Sequence, residues 1–289
     1  MNKQYDFLAS DKEPFIYFEK TMIRMDDGFL TALSGKLGKF IIPPSSHMIM
    51  LLGHGTSISQ DAVIFSAQND MDIAFVRGES NVHSVMKETR MQDPYRLVHQ
   101  VKNQERYKLE IAKELLKLRF KLLKYEDSFI KQIYDFTTIE ELTLFEARWT
   151  KNIYRNFCIK NKIKEFKRKF KGEDTVNSRL NILNNALYSI CTAITVSCHL
   201  SPSIGFIHGF SRRGGLAFDF ADVIKTLTTV KMSFETKENV DNVTLMRGLM
   251  SEIKKDNNKL IKILINVSLM LGEEFNIKKW DELYDRFNI

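Results

Sequence analysis

The stretch from residue 204 to residue 225, IGFIHGFSRRGGLAFDFADVIK, places one imidazole and two carboxylates among apolar residues. His208 lies in an apolar run, Asp219 follows eleven residues later, and Asp222 follows three residues after that. On a helix, the spacing i, i+3 places two side chains on one face, so the two carboxylates would lie together. Carboxylate oxygens with a single imidazole suit Mg²⁺ or Mn²⁺ better than a structural zinc ion.

A third acidic residue, Glu146, occupies a similar setting earlier in the chain. The predicted helix from Thr138 to Phe157 has apolar residues spaced by three or four, and Glu146 falls on or beside that stripe. Burial of an ionised carboxylate is costly unless a cation or hydrogen-bond donors compensate it. Glu146 is therefore a metal ligand, one half of a buried ion pair, or a residue at the edge of the stripe.

Each of these residues alone has an ordinary structural explanation. A single histidine in an apolar stretch is more often a core residue than a ligand, and an aspartate near a helix start is often a cap. The combination is more informative, because three acids and one imidazole all occur in apolar settings on predicted helices or helix ends. We predict that Glu146, His208, Asp219 and Asp222 form a site for a divalent metal ion.

Basic residues bracket this predicted site. Arg212 and Arg213 lie in the loop before Asp219, and Lys225 follows Asp222 by one helical turn. A metal ion held by acids and flanked by cations suits phosphoryl transfer on nucleic acid. The residues therefore favour chemistry at a phosphodiester.

The sequence before residue 88 carries strand and turn signals. The turn Asp26-Asp27-Gly28 between two β-rich runs predicts a hairpin. Further strands are predicted at 39–42, 48–52 and 72–76, and the segment SISQDAVIFSAQND suits one short helix. We predict an N-terminal β-sheet domain over residues 1–88.

The sequence after Asp93-Pro94 is typical of helices. Residues 103–136 show long helical periodicity, Thr138-x-x-Glu141 is a capping box, and SRLNILNNALYSICTAITVSCHL indicates a mostly apolar central helix that ends before Pro202. We predict a larger all-α catalytic domain over residues 93–289. The predicted fold class is therefore α+β.

The net charge of +7 is concentrated in one region. From Val101 to Lys171 there are 19 Lys or Arg and 10 Asp or Glu, so this segment carries +9 and the rest of the chain carries −2. Such a concentration suggests a polyanionic partner, nucleic acid first and a membrane surface second. A solvated helix surface is the alternative interpretation.

Cysteine usage and hydropathy indicate the compartment. Cys158, Cys191 and Cys198 form no C-x-x-C pair, which predicts free thiols in a reducing environment. The first residues have no apolar signal-peptide core, and the chain has no uninterrupted apolar run of about 18 residues. We expect a soluble, cytoplasmic protein without a membrane span.

Four stretches together resemble the CRISPR-associated integrase family of spacer acquisition, the first of the numbered Cas proteins. LLGHGTSISQDAV (51–63) resembles the family's Gly-x-Gly-Thr-Ser motif, and FEARWTKNIYR (145–155) resembles the helix with the catalytic glutamate. GFIH (205–208) resembles the histidine motif, and LAFDFADVIK (216–225) resembles the Asp-x-x-Asp or Asp-x-x-Glu motif. Their order and spacing match across nearly the whole chain, and the last motif is most similar to the type I-E and I-F branches.

The resemblance implies a metal-dependent DNA endonuclease and integrase that acts in antiviral defence. In such a protein the 3′-hydroxyl of an incoming DNA fragment attacks a phosphodiester of the CRISPR repeat, which inserts a new spacer into the array. Glu146, His208 and Asp222 would be the ligands of Mg²⁺ or Mn²⁺, with Asp219 supporting them. Lys225 matches a basic position suited to a DNA phosphate.

The resemblance also implies partners. The expected DNA is double-stranded, both prespacer and CRISPR repeat, and its phosphates would contact the loop, Lys225 and the basic run 160–171, that is Arg212, Arg213, Lys225, Lys164, Lys167 and Arg168. The family works as a homodimer, with the β-sheet domain expected to dimerise, bridged by a small partner subunit. The sequence leaves open whether that subunit is fused to a helicase-nuclease.

Two alternatives remain open on the residues alone. The protein could be a non-catalytic basic DNA-binding or scaffold protein whose acids serve only as caps and ion pairs. The Gly53-x-Gly55 loop could cradle a phosphate, but its spacing is neither a Walker loop nor a full dinucleotide fingerprint. A structural turn or a dimer-contact loop is favoured there.

Overall fold

The structure of the chain is a computed structural model. The residues that it describes are 12–35, 38–43, 46–76, 84–87, 93–164, 166–169, 172, 174–209, 214–236 and 240–289. Within these ranges the strands precede the helices, apart from one short helix between the sixth and seventh strands. This order confirms the α+β fold class, with a sheet-rich first part and a larger helical second part.

The strands are β1 (Glu13–Phe18), β2 (Thr21–Asp26), β3 (Phe29–Ser34), β4 (Gly38–Ile41), β5 (His47–Leu52), β6 (Ser57–Ile58), β7 (Asp72–Phe75) and β8 (Ser84–Met86). The helices are α1 (Gln60–Gln68), α2 (Pro94–Arg106), α3 (Lys108–Leu122), α4 (Asp127–Lys131), α5 (Ile139–Lys160), α6 (Thr175–Ser197), α7 (Gly215–Ile224), α8 (Lys231–Glu235), α9 (Asn242–Ile253), α10 (Lys255–Leu271) and α11 (Ile277–Phe287). A 3₁₀ turn (Gln132–Asp135) follows α4, and a π-helical turn (Thr226–Val230) follows α7. No helix in the described ranges has the length and apolar character needed to cross a bilayer.

The described strands form two four-stranded sheets, in the orders β1-β5-β7-β8 and β4-β3-β2-β6. The predicted hairpin is β2–β3, which pairs antiparallel with Asp26 opposite Phe29. Its turn residues Asp27 and Gly28 have φ angles of 51° and 81°, and two positive φ values in a two-residue loop match the twist of the flanking strands. The hairpin prediction is confirmed.

Strand β5 explains the apolar run predicted at 48–52. It lies between β1 and β7 and pairs parallel with both. Met50 and Leu52 pack in a core made by both sheets and α1, whereas Ile49 and Leu51 pack in the larger core that continues into the helices. A parallel strand with both faces buried needs apolar residues at successive positions, so alternation is lost.

The larger core crosses from the sheets into the helical part. Helix α6 contacts β5, β7 and β8 on one side and α7, α9 and α10 on others, so it is the central helix that the sequence predicts. Lys87 also joins the two parts, because its ammonium donates to Asp72 Oδ2 at 3.2 Å and to the carbonyl of Ser197 at 3.1 Å. The domain limits 1–88 and 93–289 therefore stay a prediction.

The helical periodicity predicted over 103–136 is divided among α2, α3 and α4. Helix α2 ends at Arg106, and Lys124 beyond α3 has a φ angle of 60°. All the buried side chains of α2 are polar, whereas most of those of α3 are apolar. Gln100 Nε2 donates to the carbonyls of Ser201 and Ile204, each at 2.8 Å. The polar side chains of α2 must point at these carbonyls, whereas the apolar side chains of α3 must point into the core. The two helices therefore run in different directions, and the chain turns between them.

The Gly53-x-Gly55 loop is a structural turn at the end of β5. The N–H of Gly53 donates to the carbonyl of Phe18 at 2.7 Å, which ties the loop to the end of β1. A Cβ on Gly53 would lie 2.7 Å from two ring carbons of Tyr17, so the position has no room for a side chain. Close packing of a neighbouring ring, rather than phosphate binding, accounts for this glycine.

Gly53→Ala is expected to lower the free energy of unfolding by about 1–3 kcal/mol, because the new methyl group overpacks against a rigid ring. Gly35→Ala is the matched control, since nothing lies within 4 Å of a Cβ built there. Urea denaturation followed by circular dichroism measures both variants. Equal midpoints for the two would show that the turn accommodates a side chain.

Candidate functional site

Helix α7 begins at Gly215, before both of its aspartates. Neither Asp219 nor Asp222 is therefore the helix cap that the sequence allowed. Asp219 and Asp222 therefore lie inside the helix, and both are buried. The helix starts there because the loop before it passes very close. A Cβ on Gly205 would lie 2.5 Å from the carbonyl carbon of Gly215 and 2.8 Å from Asp219 Oδ2. These two glycines let the loop with the histidine lie directly on the first turn of α7.

Asp219 fixes the position of that loop and of the imidazole. Its carboxylate accepts hydrogen bonds from the backbone N–H groups of Phe206, Ile207 and His208 at 2.6, 3.1 and 3.1 Å. It also lies 2.7 Å from Nδ1 of His208. A carboxylate accepts and does not donate, so Nδ1 carries the hydrogen, and Nε2 lies on the other side of the ring.

His208 faces the second aspartate of the helix. Its Nε2 lies 3.8 Å from Asp222 Oδ2. Burial lowers the pKa of His208, but the hydrogen bond to Asp219 and the negative charges of Asp222, Asp219 and Glu146 outweigh burial, so the pKa lies above its ordinary value. The negative charge of Glu146 on α5 is therefore also felt at the imidazole.

Lys225 lies one turn beyond Asp222, and its ammonium pairs with Asp222 Oδ1. Burial alone would raise the pKa of Asp222, but the positive charges of Lys225, Arg119 and His208 reverse the effect and hold that pKa below its usual value. The lysine predicted to contact a DNA phosphate is thus paired with a site carboxylate in this structure. Its contact with DNA stays a prediction.

Glu146 is paired with a cation that the sequence did not single out. Arg119 of α3, which is 2% exposed, donates from Nη1 to Glu146 Oε1. Its Nη2 donates to Thr226 Oγ1 at 3.3 Å, and its guanidinium carbon lies 4.4 Å from the centre of the Trp149 ring. The buried ion pair that the sequence left open for Glu146 is therefore present. Arg119 lies between Leu118 and Phe120, but lysines flank both of them, so the local sequence does not distinguish it from its basic neighbours.

The donor set fits a divalent metal ion by its chemistry. Asp222 Oδ2 and His208 Nε2 are adjacent, and Asp219 behind the ring gives the carboxylate–histidine arrangement common behind metal ligands. Within the described ranges, however, no three His, Cys, Asp or Glu side chains are close enough together to hold an ion. Glu146 is held by Arg119 instead, so the third predicted ligand is in the region but engaged elsewhere.

The remaining predicted phosphate contacts fall into three groups. Lys164 and Lys167 are exposed. Arg168 is half-buried, and its guanidinium donates to the side-chain oxygens of Asn177 and Asn181 in α6 at 2.9 and 2.8 Å, so it anchors the basic segment to the helix. Arg212 and Arg213 lie outside the described residues. A role in DNA binding stays a prediction for all of these residues.

The three cysteines are free thiols, as predicted. Cys191 and Cys198 are fully enclosed in the core, and burial raises the pKa of the Cys198 thiol to about 12. Both lie on or just beyond α6, where they pack as small apolar residues.

Solved structures share this architecture. The crystal structure of a TtCas1–DNA complex matches with a TM-score of 0.70 at 22% identity, over 92% of this chain and 98% of that chain. A Cas6-RT-Cas1–Cas2 complex matches with a TM-score of 0.65 at 15% identity, over 90% of this chain and 35% of that chain. These likenesses define the fold class, an N-terminal β-sheet domain followed by a helical domain.

Sequence comparison then gives the family. The family described as CRISPR associated protein Cas1 matches residues 15–239. The "CRISPR-associated endonuclease Cas1 2" of Chlorobaculum tepidum is 26% identical over 276 residues, which cover 92% of this chain and 90% of that relative. The chain belongs to the CRISPR associated protein Cas1 family. Its place in the type I-E or I-F branch stays a prediction.

Asp219→Asn is expected to lower the free energy of unfolding by about 1–3 kcal/mol, because the variant turns an amide toward donors that need an acceptor. It should also lower the pKa of His208, since the variant removes the charge and weakens the hydrogen bond that raise it. Titration of the histidine NMR signals in chelator measures the shift. Asp241→Asn, at an exposed helix cap, is the control and should leave this pKa unchanged.

The same change has a consequence for stability against pH. A histidine whose folded pKa is raised stabilises the protein fully below its unfolded pKa, near 6.5, and loses that contribution as pH rises through the folded value. The variant should show a smaller loss of stability across this interval. An unchanged His208 pKa in Asp219→Asn would contradict the assigned role of Asp219.

Proposed function

We propose that the protein is a metal-dependent DNA endonuclease and integrase that inserts new spacer DNA into a CRISPR array. Membership of the Cas1 family supports the nuclease class, since its relative from Chlorobaculum tepidum is named an endonuclease. The observation that carries the proposal is the placement of His208 Nε2 beside Asp222, with Asp219 behind the ring. A protein whose acids served only as helix caps would have no need of that arrangement.

Each side chain has a separate task in the proposed reaction. Glu146, His208 and Asp222 would hold Mg²⁺ or Mn²⁺, which supplies Lewis-acid polarisation of a phosphoryl oxygen when bound. Asp219 is a positioning residue, because its hydrogen bonds with the described residues hold the loop and ring of His208. Attack by a DNA 3′-hydroxyl gives joining, and attack by water gives hydrolysis, so one site serves both activities without a covalent enzyme intermediate.

Fixed cations would stabilise the charge on the transferring phosphoryl group. The ammonium of Lys225, whose side chain is 15% exposed, lies beside Asp222, close to where a phosphate would meet the site. The exposed Lys164 and Lys167, with Arg212 and Arg213 of the loop, would contact phosphates further along the DNA. Arg168 contributes by anchoring this basic segment to α6. Contacts to phosphates give binding that is sensitive to salt and nearly independent of sequence.

Loss of the imidazole tests the catalytic proposal. With a labelled 3′-hydroxyl oligonucleotide, a supercoiled repeat plasmid, Mn²⁺ and the small partner subunit, the wild type should nick and join DNA, and chelator should abolish both. His208→Ala should reduce both activities by more than about a hundredfold, because even partners behind a metal ligand are worth about 10–100-fold. His54→Ala, in an exposed turn, is the matched control and should stay active.

The alternative function has its own signature in the same assay. A non-catalytic DNA-binding or scaffold protein would retard the oligonucleotide equally in the wild type and in His208→Ala. It would neither nick nor join DNA with Mg²⁺, with Mn²⁺ or with the partner present. That result would exclude the integrase.

We also propose that the protein assembles as a homodimer and with a small partner subunit. A Cas1–Cas2 complex among the similar structures supports the partner. The outer face of the sheet β4-β3-β2-β6 supports the homodimer, because Met22, Phe29 and Ile41 are each more than half exposed. Arg24 pairs with Thr31, and Thr31 pairs with Ile41, so these three residues lie on one face of the sheet. Met22 and Phe29 lie two residues from Arg24 and Thr31 on the same strands, which places them on that face as well. Exposed apolar side chains grouped on a sheet face are typical of a protein interface.

Phe29→Glu is expected to convert the dimer to a monomer, because it places a charge in the proposed apolar interface. Sedimentation equilibrium measures the mass in solution. Tyr95→Glu is the control, since Tyr95 is 73% exposed and belongs to helix α2 rather than to this sheet. A monomeric wild type, or a dimer that withstands Phe29→Glu, would place the interface elsewhere or rule it out.

A further inference from the structure

We propose that Arg119 is a positioning residue of the candidate site, an internal cation that holds Glu146 and whose fixed charge opposes the binding of a divalent ion. This inference rests on the proposed metal-dependent function. It assigns a role to a residue that lies outside the four motifs of the family resemblance. Arg119 lies on α3, whereas the residues of those motifs in this site lie on α5, α7 and the loop before α7.

Arg119 is held rigidly from three directions. One amino group is on Glu146, the other reaches Thr226 Oγ1 at 3.3 Å in the π-helical turn, and the guanidinium stacks over Trp149 with 4.4 Å from carbon to ring centre. The side chain is only 3% exposed. A cation fixed in this way cannot swing out to solvent, so an approaching metal ion meets its charge in place.

The guanidinium of Arg119 does not use all of its hydrogen-bond donors among the described residues. Its Nε is buried and has no hydrogen-bond partner among the described residues. An arginine placed only to join three helices would be expected to satisfy its buried donors, because each unpaired one costs roughly 1–3 kcal/mol. The unpaired Nε fits a residue whose place is set by the carboxylate it neutralises.

Glu146 is the other half of the argument. Its Oε1 accepts from Arg119, and its side chain is 14% exposed. Asp222 is divided in a similar way, with Oδ1 on Lys225 and Oδ2 toward His208. Each carboxylate of the proposed ligand set therefore has one oxygen committed to an internal cation. This commitment accounts for the absence, among the described residues, of three donors close enough to hold an ion.

Charge explains why the cation and the metal ion compete. The site carries three carboxylates, Glu146, Asp219 and Asp222, against the two cations Arg119 and Lys225. It is thus nearly neutral before any ion arrives. A divalent ion brings two further positive charges beside a buried guanidinium, where screening is weak and repulsion strong. Removal of the Arg119 charge should therefore strengthen metal binding rather than weaken it.

The test measures metal affinity instead of catalysis. Mn²⁺ is titrated into chelator-stripped, DNA-free protein, and free Mn²⁺ is followed by electron paramagnetic resonance. Arg119→Met should lower the Kd for Mn²⁺ roughly tenfold, in the range of typical coupling between two bound charges. Arg119→Gln, which is neutral but keeps donors for Glu146, should act in the same direction and serves if the methionine variant does not fold. Arg119→Lys keeps the charge and should stay near the wild-type Kd.

Lys117→Met is the matched control on the same helix. Lys117 pairs with the buried Glu114 at 3.4 Å and stacks on Tyr284, and among the described residues it pairs with no side chain of the candidate site. The Lys117→Met substitution removes a partly buried cation of α3 and should leave the Kd for Mn²⁺ unchanged. A gain in affinity in both variants would show a general effect of charge on the protein and would overturn the proposal.

The same substitution in a Glu146→Gln protein tests whether Arg119 acts through Glu146. In Glu146→Gln the carboxylate is gone, so adding Arg119→Met should change the Mn²⁺ Kd by much less than it does in the wild type. If Arg119→Met and Arg119→Gln both bind Mn²⁺ no more tightly than the wild type does, the role of Arg119 is overturned and the proposed function still stands. Absence of Mn²⁺ binding in every protein overturns both.

Discussion

The need to compensate two buried carboxylates and a third, partly buried one in a helical core governs the site. Asp219 has no exposure at all, and it is tolerated because three backbone N–H groups and one imidazole surround it. Those donors exist only if the loop lies directly on α7, and the loop lies there only because Gly205 and Gly215 have no side chains. One compensated charge therefore dictates the loop, the helix start and the direction of the ring.

The polar residues of the site could be predicted from sequence, but their partners could not. Glu146, His208 and Asp222 can be recognised in the sequence because each is a titratable residue among apolar neighbours, which is a local property. Their neutralising cations depend on which helices meet, and Arg119 lies on α3 while Glu146 lies on α5. The start of α7 at Gly215 was also out of reach, since glycine is a poor helix residue and only the nearby loop favours it there.

Local signals determined much of the fold. The Asp27-Gly28 turn, the apolar run of β5 and the Thr138–Glu141 capping box all appear as predicted, because each is set by neighbours in the chain. The division of the long periodic segment at Tyr107 was missed for the opposite reason. Helix α2 buries Gln100 and Asn103 on distant carbonyls, and a pattern of apolar spacing contains no record of those acceptors.

The core shared by sheet and helices bears on how the chain folds as it is synthesised. Ile49 and Leu51 of β5 pack in the core shared with α6, and Asn258 Nδ2 in α10 donates to Glu13 Oε2 of β1 at 3.1 Å. The first strands therefore leave the ribosome long before the helices that cover them. One apolar face of the sheet stays open to water and to other chains during that interval, when nascent proteins are prone to aggregate. Contacts this distant in sequence also slow folding, which makes the N-terminal sheet the part most dependent on protection during translation.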